Sequence, residues 1–216
     1  MGRQLFLTGQ ITLSSKSISQ AAFLQAAEKA WVRTRFEYPE IVQMPSGRFN
    51  PDGSAIMQCE VPEDDSVVRA WVRRTFHTSV GPSSEGEAMT IAESALRKQD
   101  LTDPVGIHWR ATNPQCEGGM LEPMCSTFSL RVDHALGDGM SVYLLLGKYL
   151  RLISEQLSGR GEEQIDWFEA KHRIPESWVE KLNEEQRTEG KDFEEAVKNN
   201  FNLVLESAVC PLRVSP

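Results

Sequence analysis

His134 and Asp138 stand four residues apart in Asp133-His134-Ala135-Leu136-Gly137-Asp138-Gly139, with a glycine on each side of the second aspartate. A neutral imidazole near pH 7 can take a proton from a hydroxyl or amine as that group attacks a thioester carbonyl, provided a rigid scaffold holds it. His134 is therefore the candidate general base. Gly137 and Gly139 allow a tight turn and close backbone approach. Asp138 directly precedes an apolar helical pattern, so its carboxylate suits a helix cap or an ion pair that fixes the turn, and would point away from the imidazole. Asp133, His134 and Asp138 could together ligate a metal, but no distant His, Cys or Glu cluster completes such a site, and no metal is expected.

The elements on either side must hold that turn. Met124 to Asp133 reads as a strand in which Phe128, Leu130 and Val132 share a face with His134, so the imidazole stands where an apolar row runs out. Beyond the glycines, Val142, Leu145, Leu146, Tyr149, Leu150, Ile153 and Leu157 repeat at the helical period, and Gly159 and Gly161 end the run. Upstream, Val105 to Thr112 predicts a second strand, antiparallel to the first across a loop containing Asn113, Pro114, Gly118 and Gly119.

Residues 4 to 13 alternate, with Leu5, Leu7, Ile11 and Leu13 on one side, as in a half-buried strand. Ser17 or Ser19 caps a helix from Ile18 to about Phe36, closed by Pro39. Residues 45 to 53 read as a turn-rich connection, Ala55 to Val61 as a strand, Asp64 to Phe76 as a helix, 81 to 86 as a loop, and Glu87 to Lys98 as a short helix. A helix is expected around Phe193 to Phe201, in a segment that turns acidic after residue 160. The domain reading is an N-terminal lobe over 1–160 and an acidic helical extension or linker over 161–216.

The 216 residues suffice for one large mixed domain. A net charge of -8 without a concentrated basic face argues against nucleic acid. Four scattered cysteines, Cys59, Cys116, Cys125 and Cys210, form no CxxC pair and follow no secretory segment, which fits reduced thiols and a cytoplasmic location. No apolar run reaches the roughly 20 residues a membrane span needs. Phosphate-loop, dinucleotide and GxSxG patterns are absent. His77, His108 and His172 occur singly and are assigned structural roles, as are Cys125, Trp31, Trp71 and Trp109.

Arg131-Val132-Asp133-His134-Ala135-Leu136-Gly137-Asp138-Gly139-Met140-Ser141 resembles the HxxxDG signature of the condensation-domain and BAHD acyltransferase superfamily, whose fold is that of chloramphenicol acetyltransferase. Phe23 to Arg33, continuing through Tyr38-Pro39-Glu40, resembles the first helix of fungal trichothecene O-acetyltransferases and stand-alone condensation-like enzymes. The resemblance implies an α/β (α+β) two-layer lobe with a mainly antiparallel sheet and packed helices. By the same likeness His134 matches the catalytic histidine, Asp138 the structural aspartate, and Gly139 the glycine lining the substrate channel. The implied reaction passes an acyl group from a coenzyme A thioester, as cosubstrate and not bound cofactor, to a hydroxyl of a small secondary metabolite. Asp133 replaces the first histidine of peptide-forming condensation domains, which suits the O-acyltransferase branch. Family members have two lobes in about twice this length, with the histidine in a tunnel between them, and no second-lobe DFGWG-like motif occurs here. A second lobe or another copy of the chain is thus the expected partner. The alternatives are a condensation-like scaffold for cyclisation or carrier-bound acyl transfer, and a non-catalytic half-fold that binds.

Overall fold

The structure is a computed structural model that describes residues 4–13, 18–51, 53, 55–81, 85–98, 102–111, 124–137, 139–161 and 164–174. These residues belong to one compact unit, Met1–Ile174; a second unit is Pro175–Pro216. The helix expected around Phe193 to Phe201, the loop at 113–119, Cys116, Cys210 and Asp138 lie outside the described residues.

Chain order is β1 (Gln4–Leu13), α1 (Gln20–Glu37), a 3-10 turn (Pro39–Val42), β2 (Met44–Phe49), β3 (Ala55–Gln58), α2 (Asp65–Thr75), β4 (Phe76–Val80), α3 (Glu85–Arg97), β5 (Val105–Ala111), β6 (Met124–Asp133), α4 (Gly139–Leu157) and a 3-10 segment (Trp167–Arg173). The main sheet runs β1-β6-β5-β4. β6 pairs antiparallel with both β1 and β5, while β4 joins β5 in parallel. The mixed, largely antiparallel α+β architecture expected from the resemblance is therefore present.

Register and periodicity decide what each face meets. Leu5 opposes Val132, Leu7 opposes Leu130, and Gly9 opposes Phe128, so the apolar rows of β1 and β6 fall on one side. Gly9 is required there, since an added Cβ would lie 2.8 Å from the Phe128 ring. That face packs on α1 and α4: Phe23 meets the Trp109 ring edge-on at 5.1 Å, and Trp31 meets Tyr149 at 5.4 Å. The Tyr149 hydroxyl, fully buried, donates to the Ala27 carbonyl and accepts from the Trp109 indole, joining α4, α1 and β5. The opposite face carries Gly106, His108, Ser129 and Arg131 and is covered by α3, whose Leu96 packs 3.4 Å from where a Gly106 Cβ would stand.

Local chemistry starts and stops the helices as expected. Ser19 caps α1 by accepting from the Ala22 N–H, and Asp64 caps α2 by accepting from Ser66 and Val67. Gly159, at φ 71°, follows the end of α4. Two strands depart from the sequence reading. Met44–Phe49, taken as turn-rich because of Pro45 and Gly47, pairs irregularly with Ala55–Gln58. Phe76–Val80 follows α2 without a loop, where a helix was expected through Phe76 and then a connection. The 3-10 segment Trp167–Arg173 also packs in the same core: Trp167 meets Phe36 edge-on at 5.8 Å, and Ala170 is buried.

Candidate active site

β6 delivers the histidine through a turn that its own last residue builds. The Asp133 N–H donates to the Pro104 carbonyl at 2.7 Å, tying the strand end to the start of β5. The Asp133 carboxylate then accepts from the Ala135 N–H at 2.9 Å, and its carbonyl accepts from the Leu136 N–H at 2.9 Å. This is an Asx turn closed over one residue, and that residue is His134. Its side chain is exposed, one position beyond the buried row Phe128, Leu130, Val132. The sequence reading considered Asp133 as a replaced histidine and as a metal ligand, and missed this role. The signal was present, because Asp followed two residues later by a free backbone N–H is a common turn former.

The turn opens onto a cavity of about 310 Å³ at the seam between α4, β5, β6 and the Pro39–Val42 turn. Leu136, Gly137 and Ser141 bring the motif to its wall, Val105 and Val132 form the sheet side, and Leu144 and Leu145 the helix side. His134 and Gly139 are not on that wall; His134 stands at the adjacent exposed turn. A Cβ on Gly137 would lie 2.8 Å from the Ser141 Cβ, so close packing of the turn against α4 requires glycine at 137. At Gly139, exposed in the first turn of α4, a Cβ would meet nothing within 4 Å.

One acid faces this largely apolar wall. Glu40, on the Pro39–Val42 turn, has Oε2 buried without a hydrogen-bond partner. Burial pushes its carboxyl above the usual range, partly offset by its own backbone N–H. Lys148 reaches the cavity from the exposed side of α4. Such a lining suits a largely apolar molecule carrying a few polar groups.

The remaining histidines sit elsewhere. His108 is buried on the α3 side of the sheet, with Nε2 2.9 Å from the Ser79 hydroxyl, and burial, with His77 and Arg110 nearby, lowers its pKa to about 4. His77 bonds the Arg74 carbonyl. Among the described residues no group of three or more His, Cys, Asp or Glu could hold a metal, and no helix is long and apolar enough to cross a membrane.

A family model described as 15-O-acetyltransferase Tri3 matches residues 4–210. No curated protein matches. Among solved structures, the TRI3 trichothecene 15-O-acetyltransferase from Fusarium sporotrichioides superposes with a TM-score of 0.63 at 18% identity, over 95% of this chain and 41% of that one. The X-domain bound to OxyB from teicoplanin biosynthesis follows at 0.47 and 15% identity, over 87% and 35%. The starter condensation domain of the rhizomide synthetase RzmA gives 0.42 and 14%, over 81% and 40%. The chain thus spans about two fifths of the length of the TRI3 structure it matches.

Proposed function

Because the chain belongs to the 15-O-acetyltransferase Tri3 family, we propose that it supplies the histidine-bearing lobe of an acyltransferase that moves an acyl group from a coenzyme A thioester to a hydroxyl of a small, largely apolar metabolite. The observation that carries this reading is the exposed His134, held by the Asp133 turn beside an apolar cavity whose wall includes residues of the same motif. In the proposed step one ring nitrogen of His134 takes the acceptor's hydroxyl proton as the oxygen attacks the thioester carbonyl. The carbon–sulfur bond then breaks, and the imidazolium returns the proton to the leaving thiolate. Asp138 is assigned to holding the turn, Gly137 to close approach of the turn to α4, and the cavity to the acceptor.

His134→Ala tests the assignment in the assembly that turns over thioester. A general base contributes about 100-fold to 10,000-fold, so thioester consumption with a hydroxylated apolar acceptor should fall at least 100-fold. Because the side chain is exposed and outside the core, the melting temperature should stay within about a degree. Turnover like that of the unmodified protein would reject His134 as the base.

A further inference from the structure

The turn that carries His134 is anchored outside its own motif, on a short irregular segment ahead of β5. Thr102, Asp103 and Pro104 belong to no helix or strand, and Pro104 has no N–H to donate, so the oxygens of this segment make its ties to the rest of the fold. The Pro104 carbonyl accepts from the Asp133 N–H at 2.7 Å. The Asp103 carbonyl accepts from Nη2 of Arg131 at 2.9 Å, and the Asp103 carboxylate accepts from Nε and Nη2 of Arg74 at 2.7 and 3.2 Å.

Asp103 is thereby gripped from two elements. Arg74 stands in the last turn of α2, whose Trp71, Val72 and Thr75 are buried, and its two parallel charge-assisted bonds fix the carboxylate in orientation as well as in place. The Asp103 side chain is 13% exposed, which keeps most of the solvent off the acid's side of the pair. Arg131 is buried on β6, two residues before Asp133. Its Nη2 lies 3.5 Å from where a Gly106 Cβ would stand, and the Thr75 carbonyl lies 3.7 Å from the same point. The end of α2, the start of β5 and the end of β6 thus meet around one aspartate. From there the imidazole is two hydrogen bonds away: the Asp133 N–H on the Pro104 carbonyl, and the Ala135 N–H on the Asp133 carboxylate at 2.9 Å, which closes the turn over His134.

We propose that Asp103 is a positioning residue for His134: clamped by Arg74, it holds the Pro104 carbonyl on which the end of β6 is fixed, and so sets where the imidazole stands. Precision of this kind matters to a general base, because a misplacement of about 1 Å can cost about 100-fold in rate. The kinetic half of the proposal rests on His134 being the base; the mechanical half does not, and it is read without turnover.

Hydrogen exchange on the ¹⁵N-labelled chain reads the clamp directly. In Asp103→Ala, and separately in Arg74→Ala, the Asp133 amide should lose protection about tenfold more than the Ala27 and Ala30 amides of α1, since a local tie opens while the core stays closed. The double variant should lose little more than Asp103→Ala alone, because both changes remove the same pair. Arg74 is 54% exposed, so its variant keeps the test alive if Asp103→Ala fails to fold. With acetyl-coenzyme A and the acceptor used for His134→Ala, Asp103→Ala should lower kcat about tenfold and leave the acceptor KM within about twofold, and Asp103→Asn, which keeps an accepting oxygen, should recover most of that loss. An Asp133 amide that keeps its protection in both single variants would overturn the clamp. Lost protection with kcat unchanged, in an assembly that His134→Ala silences, would overturn the positioning role. Turnover that ignores His134→Ala would remove the base itself, and the exchange result would still decide the clamp.

Discussion

The position of the His134 imidazole depends on a single side chain next to it, because the Asp133 carboxylate is what closes the turn on the Ala135 N–H. Asp133→Ala should cost about 1 kcal/mol, as other lost side-chain caps do, and should lower kcat more than it raises KM, since the base is displaced while the cavity wall remains. Asp133→Asn keeps an accepting oxygen and should recover most of both losses. Equal turnover in the alanine variant would show that the turn does not set the base. A second residue-scale consequence concerns His108. Its folded pKa of about 4 lies below the ordinary 6.5, so the unfolded chain binds a proton that the folded chain refuses. The associated stability is present above pH 6.5 and is lost as pH falls toward 4, by at most about 3 kcal/mol. His108→Gln should flatten the acid limb of a melting-temperature profile between pH 7 and 4.5; parallel profiles for the two proteins would contradict the assignment. The candidate base was legible as a residue between strand and helix patterns. The role of Asp133 could have been read from its place at the start of a turn, whereas Glu40 acts through burial and leaves no spacing to read.

Elements were legible where the apolar side chains gather on one face. β1, β6, α1 and α4 show their periods because the sheet turns its apolar row toward α1 and α4, while in β6 the small and polar residues between, buried as well, turn toward α3. β2 is exposed along almost its whole length, so no alternation marks it, and its Pro45 and Gly47 resemble turn residues. β4 is a five-residue edge strand with Phe76 buried at one end and Val80 exposed at the other, and it begins on the C-cap of α2, leaving no break to notice. Where the packed helices and sheet meet, Tyr149 links three elements through one hydroxyl. Tyr149→Phe keeps the ring and leaves the Trp109 N–H and the Ala27 carbonyl buried without that partner, which should cost about 1–3 kcal/mol in urea unfolding at unchanged m-value. A loss below a few tenths of a kcal/mol would mean that the hydroxyl is not a tie between these elements.

Across the whole molecule, the α4 helix divides its apolar residues between two destinations. Val142, Tyr149, Leu152 and Ile153 enter the core, whereas Met140, Tyr143 and Leu144, at positions i, i+3 and i+4, stand 41%, 60% and 62% exposed beside the cavity wall. Gly147 continues the row without a side chain. Such a stripe gains free energy from any apolar surface that covers it, at about 25 cal/mol per Å². The chain spans two fifths of the TRI3 structure, and the proposed acyltransferase would need a second surface to enclose its acceptor. Residues 1–216 expressed alone should therefore associate as concentration rises, and should turn over thioester poorly. Leu144→Glu places a charge in the middle of the stripe, outside the buried core, so it should reduce association in light scattering by several-fold at a melting temperature within about two degrees of the parent chain. In any assembly that turns over thioester the same substitution should lower activity, since the stripe adjoins the cavity on which the reaction is proposed to depend. A 216-residue chain that stays monomeric at all concentrations and turns over efficiently through His134 would show that one lobe encloses the reaction by itself, and the stripe would then need another explanation.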